Sequence, residues 1–316
     1  MDEGTEDSFK ILAVDGGGIR GVVPAHIIQL MHSKFGIIPA KHFDLIAGTS
    51  TGAIIAAALA CEIEPPKIVA LYREHGARIF SKKKSWWPSF AKQAVHSLYD
   101  QDELSKLLLE VFGDRKLGDL KKPLLLPSTN VGEGCVHVFK SGYSTKFIRD
   151  RDVLIREAVL ASCAAPTYFD PKKVDVYLLA DGGLWANNPA LTASIEAIHR
   201  MQIKVERLRV LSVGTGHSKI YYNRPNERWG LVTGWQHKNF INFILSLQSQ
   251  VAHNHLKLML PESQWLRLDF ESDKELALDD VSAVDWLISK SDRLFMDESD
   301  KLKSFLEVRC KEMYAK

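Results

Sequence analysis

Gly48-Thr49-Ser50-Thr51-Gly52 sets a serine two residues from a glycine on each side, between an apolar run that ends at Ala47 and an Ala-rich stretch that continues through Cys61. With a strand before it and a helix after it, G-x-S-x-G forms a nucleophile elbow: a strained turn lifts the hydroxyl out of the sheet, and side chains two positions away on either side would collide. The helix behind Ser50 points its positive end at the reacting centre. The chemistry this spacing predicts is acyl transfer, with Ser50 as nucleophile. Outside that setting the same five residues are an ordinary Gly/Ser turn.

A second run, Asp15-Gly16-Gly17-Gly18-Ile19-Arg20-Gly21, follows a short apolar strand at Lys10 to Val14 and precedes a helix from about Pro24. Gly16, Gly18 and Gly21 satisfy G-x-G-x-x-G, the dinucleotide fingerprint, but that reading needs an acid ending the second strand. The second strand here, Phe43 to Ala47, carries Asp44 near its beginning and ends in Gly48-Thr49-Ser50. No Gly-Lys-Ser/Thr follows, so a Walker A loop is excluded as well. The remaining reading is an oxyanion hole, in which consecutive glycines turn backbone N–H groups into one concavity where an acyl carbonyl gains negative charge.

Ser50 needs a base. Ser50, Asp181 and His217 stand in the chain order of an α/β-hydrolase triad, but such enzymes place the oxyanion loop two strands ahead of the serine strand, not on the strand immediately before it. The alternative is a Ser–Asp dyad. Asp181 closes an apolar strand, Val174 to Ala180, and Gly182-Gly183 leaves its carboxylate unobstructed. Partial desolvation raises the proton affinity of such a carboxylate and makes it a better general base. By itself Asp-Gly-Gly is a turn signal. A phosphate- or nucleotide-binding module without chemistry would use the glycine loop yet leave Ser50 and Asp181 unexplained.

The elements that must position these residues read as alternating strands and helices, an α/β sheet with helices on both faces. Further strands are expected at Leu124 to Val131, Cys135 to Phe139 and Leu208 to Val213. Helices are expected at Pro66 to Phe80, Asp102 to Phe112, Asp152 to Ser162 and Ala190 to Met201, and the last hundred residues as mostly helical, with a long amphipathic stretch from Phe240 to Leu260. The chain divides into an acidic tail (1–8), a catalytic core (9–216) and a mostly helical part of the same domain (217–316).

With 316 residues, 41 Lys+Arg against 39 Asp+Glu, and 46% hydrophobic and 25% charged residues, the composition is that of a folded globular protein and excludes wholesale disorder. A pI near 8.2 is too mild to signal a nucleic-acid polymer as partner. The longest apolar run, Ala53 to Cys61, falls well short of the about 20 residues that span a bilayer. Asp2, Glu3, Glu6 and Asp7 replace the basic start of a secretory signal. Cys61, Cys135, Cys163 and Cys310 form no CxxC pair, which argues against zinc. The expectation is a cytoplasmic protein with free thiols and no metal or cofactor.

Three motifs in this order, Asp15 to Gly21, Gly48 to Gly52 and Asp181-Gly182-Gly183, together with Ala161-Ser162-Cys163-Ala164-Ala165-Pro166-Thr167-Tyr168-Phe169, resemble the patatin-like phospholipases over roughly Phe9 to Gly216. The resemblance implies a three-layer α/β/α fold with a mostly parallel central sheet. It also implies a metal-free lipid acyl hydrolase: Ser50 as nucleophile, Asp181 as proton acceptor, and Gly16, Gly17, Gly18 and Thr51 as the oxyanion hole. Asp15, Arg20, Gly21, Gly48, Gly52, Gly182 and Gly183 would support the motifs, Arg20 holding the loop or a phosphate. In its length and helical last third the chain also resembles the CapV-type phospholipase effectors of bacterial anti-phage systems, which a cyclic dinucleotide switches on. A constitutive lipase or esterase of the same family is the alternative.

Such an enzyme must meet a phospholipid surface, at the inner face of the membrane for a cytoplasmic protein. Lys82, Lys83 and Lys84 beside Trp86, Trp87 and Phe90 combine cations for anionic headgroups with rings suited to the interface. A solvated lysine run beside packed tryptophans is the plain alternative. Ser81 to Tyr99 is expected to form a lid over Ser50. Tyr221, Tyr222, Arg224, Arg228, Trp229, Trp235 and His237 make an aromatic and basic cluster suited to a nucleotide or to a structural loop. A homo-oligomer is compatible with the sequence, and His253 and His255 are expected to be structural.

Overall fold

The computed structural model describes residues 8–80, 97–219 and 237–307. Its strands are β1 (Phe9–Val14), β2 (Leu45–Gly48), β3 (Leu124–Asn130), β4 (Cys135–Lys140), β5 (Lys172–Val174), β6 (Tyr177–Asp181), β7 (Leu208–Val213), β8 (His217–Ser218), β9 (Trp265–Leu268) and β10 (Glu271–Ser272). The central sheet runs β5-β6-β3-β2-β1-β7-β9 with β4 added to β3, while β8 and β10 pair separately. β3, β2, β1, β7 and β9 are mutually parallel. The chain builds outward from β1 to β2 and β3 on one side and to β7 and β9 on the other. The strand order therefore reverses at β1, where a crevice opens at the carboxyl ends of the strands.

Side chains of a strand point alternately to the two faces of its sheet, and β1 feeds two cores. Leu12 and Val14 pack with helices Val22–Phe35, Thr51–Ala60, Pro65–Ile79, Ile155–Ser162 and Val284–Asp297. Ile11 and Ala13 pack instead with Ala190, Ala193 and Ala197 of the helix Ala190–His199 and with Leu256 of the helix His237–Met259. The three layers follow from that alternation, each fully buried Leu or Ile contributing about 1.5–3 kcal/mol.

One local irregularity builds the site. β4 covers an edge of β3 from Leu125 to Asn130. β2 pairs with β3 only at Leu124 and Leu125, and β6 only at Ser128 to Asn130. A strand has two edges, so β2 and β6 share the edge opposite β4. β2 runs with β3 and β6 against it, and their carboxyl ends meet over Leu126 and Pro127. Pro127 lacks the N–H that an uninterrupted partner strand would require.

Two of the departures from the sequence reading bear on the sheet. β5 is a three-residue strand that hairpins onto β6, and its register with Tyr177–Leu179 is set by pairing alone. β9 lies in the stretch expected to be mostly helical. Trp265-Leu266-Arg267-Leu268 is too short and too interrupted by Arg267 to read as a strand, and is held by its pairing along Val210 to Val213 of β7.

Candidate active site

Ser50 sits at the N-terminus of the helix Thr51–Ala60 with φ 55° and ψ −124°, in the left-handed half of backbone space that a non-glycine residue occupies under strain. The two glycines are there for closeness rather than flexibility: a Cβ on Gly48 would lie 2.0 Å from the Gly52 carbonyl oxygen, and one on Gly52 2.3 Å from that of Val14. Both backbone groups of Ser50 are held from the helix Ile155–Ser162 and its cap. Its N–H donates to Ser162 Oγ at 3.0 Å, whose own hydroxyl donates to the Pro127 carbonyl at 2.6 Å. Its carbonyl accepts from Cys163 Sγ at 3.0 Å. Ser162 and Cys163 entered the sequence reading only as part of a resembling stretch; nothing in their spacing announces this clamp.

Asp181 ends β6, opposite Ser128, so the head-on approach of β2 and β6 brings it to Ser50. Its carboxylate is 2% exposed and accepts the Gly183 N–H at 2.7 Å. Burial pushes its pKa up to about 6, partly offset by interaction with the Ser50 hydroxyl and by the Gly183 N–H. A carboxylate poised there can accept a hydroxyl proton near neutral pH. Gly182 packs on Pro127, where a Cβ would lie 2.2 Å from the carbonyl oxygen, and Gly183 packs on Leu245.

Gly17 and Gly18 line the same cleft as Ser50, Thr51 and Asp181. Their N–H groups and that of Thr51, at the start of its helix, make no hydrogen bond to another described residue. Gly16 is a correction: its N–H donates to the Asn187 carbonyl at 3.0 Å, so it is spent on fixing the loop. Gly18 has φ +59°, and a Cβ would lie 2.2 Å from the Leu278 carbonyl oxygen. Gly21 admits Thr51 and Tyr72, which bond to each other at 2.6 Å. Arg20 holds the loop rather than facing the cleft: Nε donates to the Gly17 carbonyl (3.2 Å) and Nη1 to that of Gly216 (3.0 Å).

Asp15 is anchored by a residue that sequence reading missed. Arg267 of β9 reaches it with two bonds, 3.1 and 2.7 Å, and also donates to Ser212 Oγ (2.6 Å) and Asp269 (2.6 Å). Asp269 in turn accepts the Gly216 N–H at 2.9 Å. The Arg267 guanidinium holds the Asp269 carboxyl well below the usual range although burial opposes it. His217 does not complete a triad. Its ring nitrogens face Asp269 (3.6 Å) and Glu271 (3.3 Å), which raise its pKa, and it is absent from the cleft around Ser50. His253 packs on Trp265, and burial lowers its pKa.

The cleft itself is about 750 Å³ including its open mouth, and its walls beyond the polar cluster are apolar, with Ile54, Ile79, Leu104, Leu107, Phe169 and Leu245 among them. It suits an acyl chain. Of the expected lid, Ser97, Leu98 and Tyr99 are tied beside this cleft: Leu98 and Tyr99 donate their N–H groups to Thr167 and Tyr168, and the Tyr99 hydroxyl donates to Asp279 at 2.5 Å. Lys82, Lys83, Lys84, Trp86, Trp87 and Phe90 lie outside the described residues, as do Tyr221, Tyr222, Arg224, Arg228, Trp229, Trp235 and the side chain of His237. Among the described residues no group of three or more His, Cys, Asp and Glu side chains is placed to hold a metal ion, and no helix is long and apolar enough to cross a membrane.

Residues 12–194 match the family model for patatin-like phospholipase. A cGAMP-activated phospholipase of Vibrio cholerae is 30% identical, over 96% of this chain and 95% of that protein. A cGAMP-activated phospholipase of Pseudomonas aeruginosa is 34% identical over 66% of this chain, spanning 62% of its own length. A cUMP-AMP-activated phospholipase of Escherichia coli is 33% identical over 67% of this chain and 66% of its own. Among solved structures, VipD from Legionella pneumophila shares the fold, with a TM-score of 0.51 at 14% identity over 95% of this chain and 67% of that one.

Proposed function

The chain belongs to the patatin-like phospholipase family, hydrolases of lipid ester bonds with a serine nucleophile, and from that premise we propose that Ser50 and Asp181 form its catalytic dyad and that a cyclic dinucleotide switches it on. The observation that carries the dyad is the meeting of a strained serine and a buried carboxylate at the mouth of one apolar cleft.

Asp181 takes the hydroxyl proton as Ser50 Oγ attacks the ester carbonyl of a phospholipid whose acyl chain lies in the cleft. The N–H groups of Gly17, Gly18 and Thr51 stabilise the oxyanion, aided by the helix N-terminus behind Ser50. The tetrahedral intermediate collapses as protonated Asp181 gives its proton to the departing lysolipid oxygen. Water, deprotonated by the same carboxylate, then releases the fatty acid and restores Ser50.

Activation is supported by the printed names of the relatives, two of them cGAMP-activated and one cUMP-AMP-activated. The basic and tryptophan-rich run Lys82 to Trp87 supports transient contact with the inner face of a phospholipid membrane. Fatty-acid release from phospholipid vesicles by wild type and Ser50→Ala, with and without cGAMP and cUMP-AMP, tests both parts. Release by wild type only with a nucleotide is the expected result. Release without one removes the switch and leaves a constitutive lipase; equal release by Ser50→Ala refutes the nucleophile.

A further inference from the structure

The glycine loop borders two clefts. Gly17 and Gly18 line the acyl cleft, whereas Asp15 and Arg20 line a second one of about 1600 Å³ including its open mouth. Leu245 is common to both. The second cleft is polar, walled by His217 and Lys219 after β7 and by Asn242, Ser246, Ser249 and His253 of the helix His237–Met259. Three of its side chains keep a buried polar atom with no hydrogen-bond partner among the described residues: Oδ1 of Asn187, Oδ1 of Asn242 and Nδ1 of His253. Asn187 is 4% exposed and Asn242 7%. Buried polar groups are ordinarily paired, so three orphans in the wall of one cleft leave hydrogen-bonding capacity that a ligand reaches once the wall shifts.

The wall of this cleft is wired to the oxyanion donors. From Asp15, a chain of bonds runs through Arg267 (2.7 Å) and Asp269 (2.6 Å) to the Gly216 N–H (2.9 Å). From the Gly216 carbonyl it continues through Arg20 (3.0 Å) to the Gly17 carbonyl (3.2 Å). Both ends of the Asp15–Gly17 turn are thus held from the residues that floor the polar cleft. Ser249 adds a direct link, donating to Asp15 Oδ2 at 3.0 Å and accepting from Asn187 at 2.9 Å. A ligand that draws on Gly216, His217 or Ser249 cannot do so without shifting the frame in which the Gly17 and Gly18 N–H groups are aimed.

We propose that this polar cleft is where the cyclic dinucleotide binds, and that Arg267 and Asp269 are positioning residues that carry its occupancy to the oxyanion loop; the proposal rests on the activation argued above. The recognition chemistry matches. Base edges present donors and acceptors in fixed pairs, which Asn242, Ser246, Ser249 and His253 can answer. The phosphodiesters require cations, and Lys219 and His217 stand at the rim, each now held by an acid, Asp273 at 3.1 Å and Glu271 at 3.3 Å. The two deeper acids, Asp15 and Asp269, share the single charge of Arg267, and His217 stands beside Asp269 as well. An arrangement of this kind gives coupling by differential contact: the ligand favours whichever loop geometry lets the rim cations leave their acids.

Binding of cGAMP and cUMP-AMP is measured by calorimetry, and stimulation by fatty-acid release from phosphatidylglycerol and phosphatidylethanolamine vesicles. The variants are Gln250→Trp, which fills the cleft from an exposed rim position, the double variant His217→Ala, Lys219→Ala, and Arg267→Lys with Asp269→Asn as its companion. The first two are expected to weaken nucleotide binding about tenfold or more. Arg267→Lys and Asp269→Asn, at positions that floor the cleft, are expected still to bind nucleotide but to lose most of the ratio of stimulated to basal turnover on a soluble ester, whereas a merely structural role lowers both turnovers alike and leaves that ratio unchanged. Unchanged binding and stimulation in both cleft variants, with wild type still stimulated, overturns the site and leaves the activation reading standing. Wild type that neither binds nor responds to either nucleotide overturns the activation reading, and this proposal with it.

Discussion

Replacing Asp181 by Asn should abolish catalysis and stabilise the fold at once. The carboxyl is 2% exposed, and its pKa is raised from 3.8 to about 6 by burial. At 1.36 kcal/mol per pH unit, that displacement is ~3 kcal/mol of preference for the neutral acid. Because the folded pKa lies above the unfolded one, the native state binds the extra proton between pH 3.8 and about 6, and stability falls as pH rises through that window. Above it, wild type carries the full cost of a buried carboxylate; below it, none. Asn keeps the contacts, its amide oxygen accepting from Gly183 and its NH2 facing Ser50. Denaturant unfolding at a series of pH values should therefore show Asp181→Asn more stable than wild type by up to ~3 kcal/mol at pH 8, on the order of 5 °C in Tm for a chain of this size, and indistinguishable near pH 3.5. The kcat/KM of wild type should fall about tenfold per pH unit below about pH 6, and Asp181→Asn should lose about 10²–10⁴ in rate. Equal stability of the two proteins at pH 8, or a kcat/KM profile flat from pH 5 to 8, would refute the buried-base assignment.

Three further perturbations test the neighbouring structure. Ser162→Ala strips the Ser50 N–H of its acceptor and should cost about 1–3 kcal/mol in unfolding free energy while lowering kcat more than it raises KM on a soluble ester; an unaltered kcat means the elbow does not depend on this bond. Gly52→Ala would push a methyl within 2.3 Å of the Val14 carbonyl and 2.7 Å of that of Asp15, and is expected to yield insoluble or inactive protein. Soluble Gly52→Ala with wild-type turnover contradicts the packing. Leu107→Phe adds bulk to the acyl cleft and should shift preference toward shorter chains, by roughly 0.8 kcal/mol for each methylene no longer accommodated, read as the ratio of kcat/KM for short and long p-nitrophenyl esters. A constant ratio would place the acyl chain elsewhere.

What the sequence alone determined was the chemistry that depends on close neighbours in the chain. The elbow is legible because its pattern is local, two glycines flanking Ser50 within five residues, although Gly48 is crowded by the Gly52 carbonyl and Gly52 by the carbonyls of Val14 and Asp15. The glycine loop is legible as a run of neighbours too, and β1 as a short stretch buried almost throughout. What only the tertiary structure decided was which of these local signals meet. Ser50 and Asp181 converge because β2 and β6 arrive from opposite directions along one edge of β3, a consequence of pairings at Leu125 and Ser128 that neither motif encodes. The Gly16 N–H looked like its neighbours in sequence but is taken by Asn187, 171 positions away. Arg267 had no motif at all. An arginine in a four-residue apolar strand looks like an interruption until Asp15, 252 positions earlier, supplies the charge that makes its burial favourable. A motif whose residues are chain neighbours leaves a mark in the sequence; a charge pair closed across the whole chain leaves none.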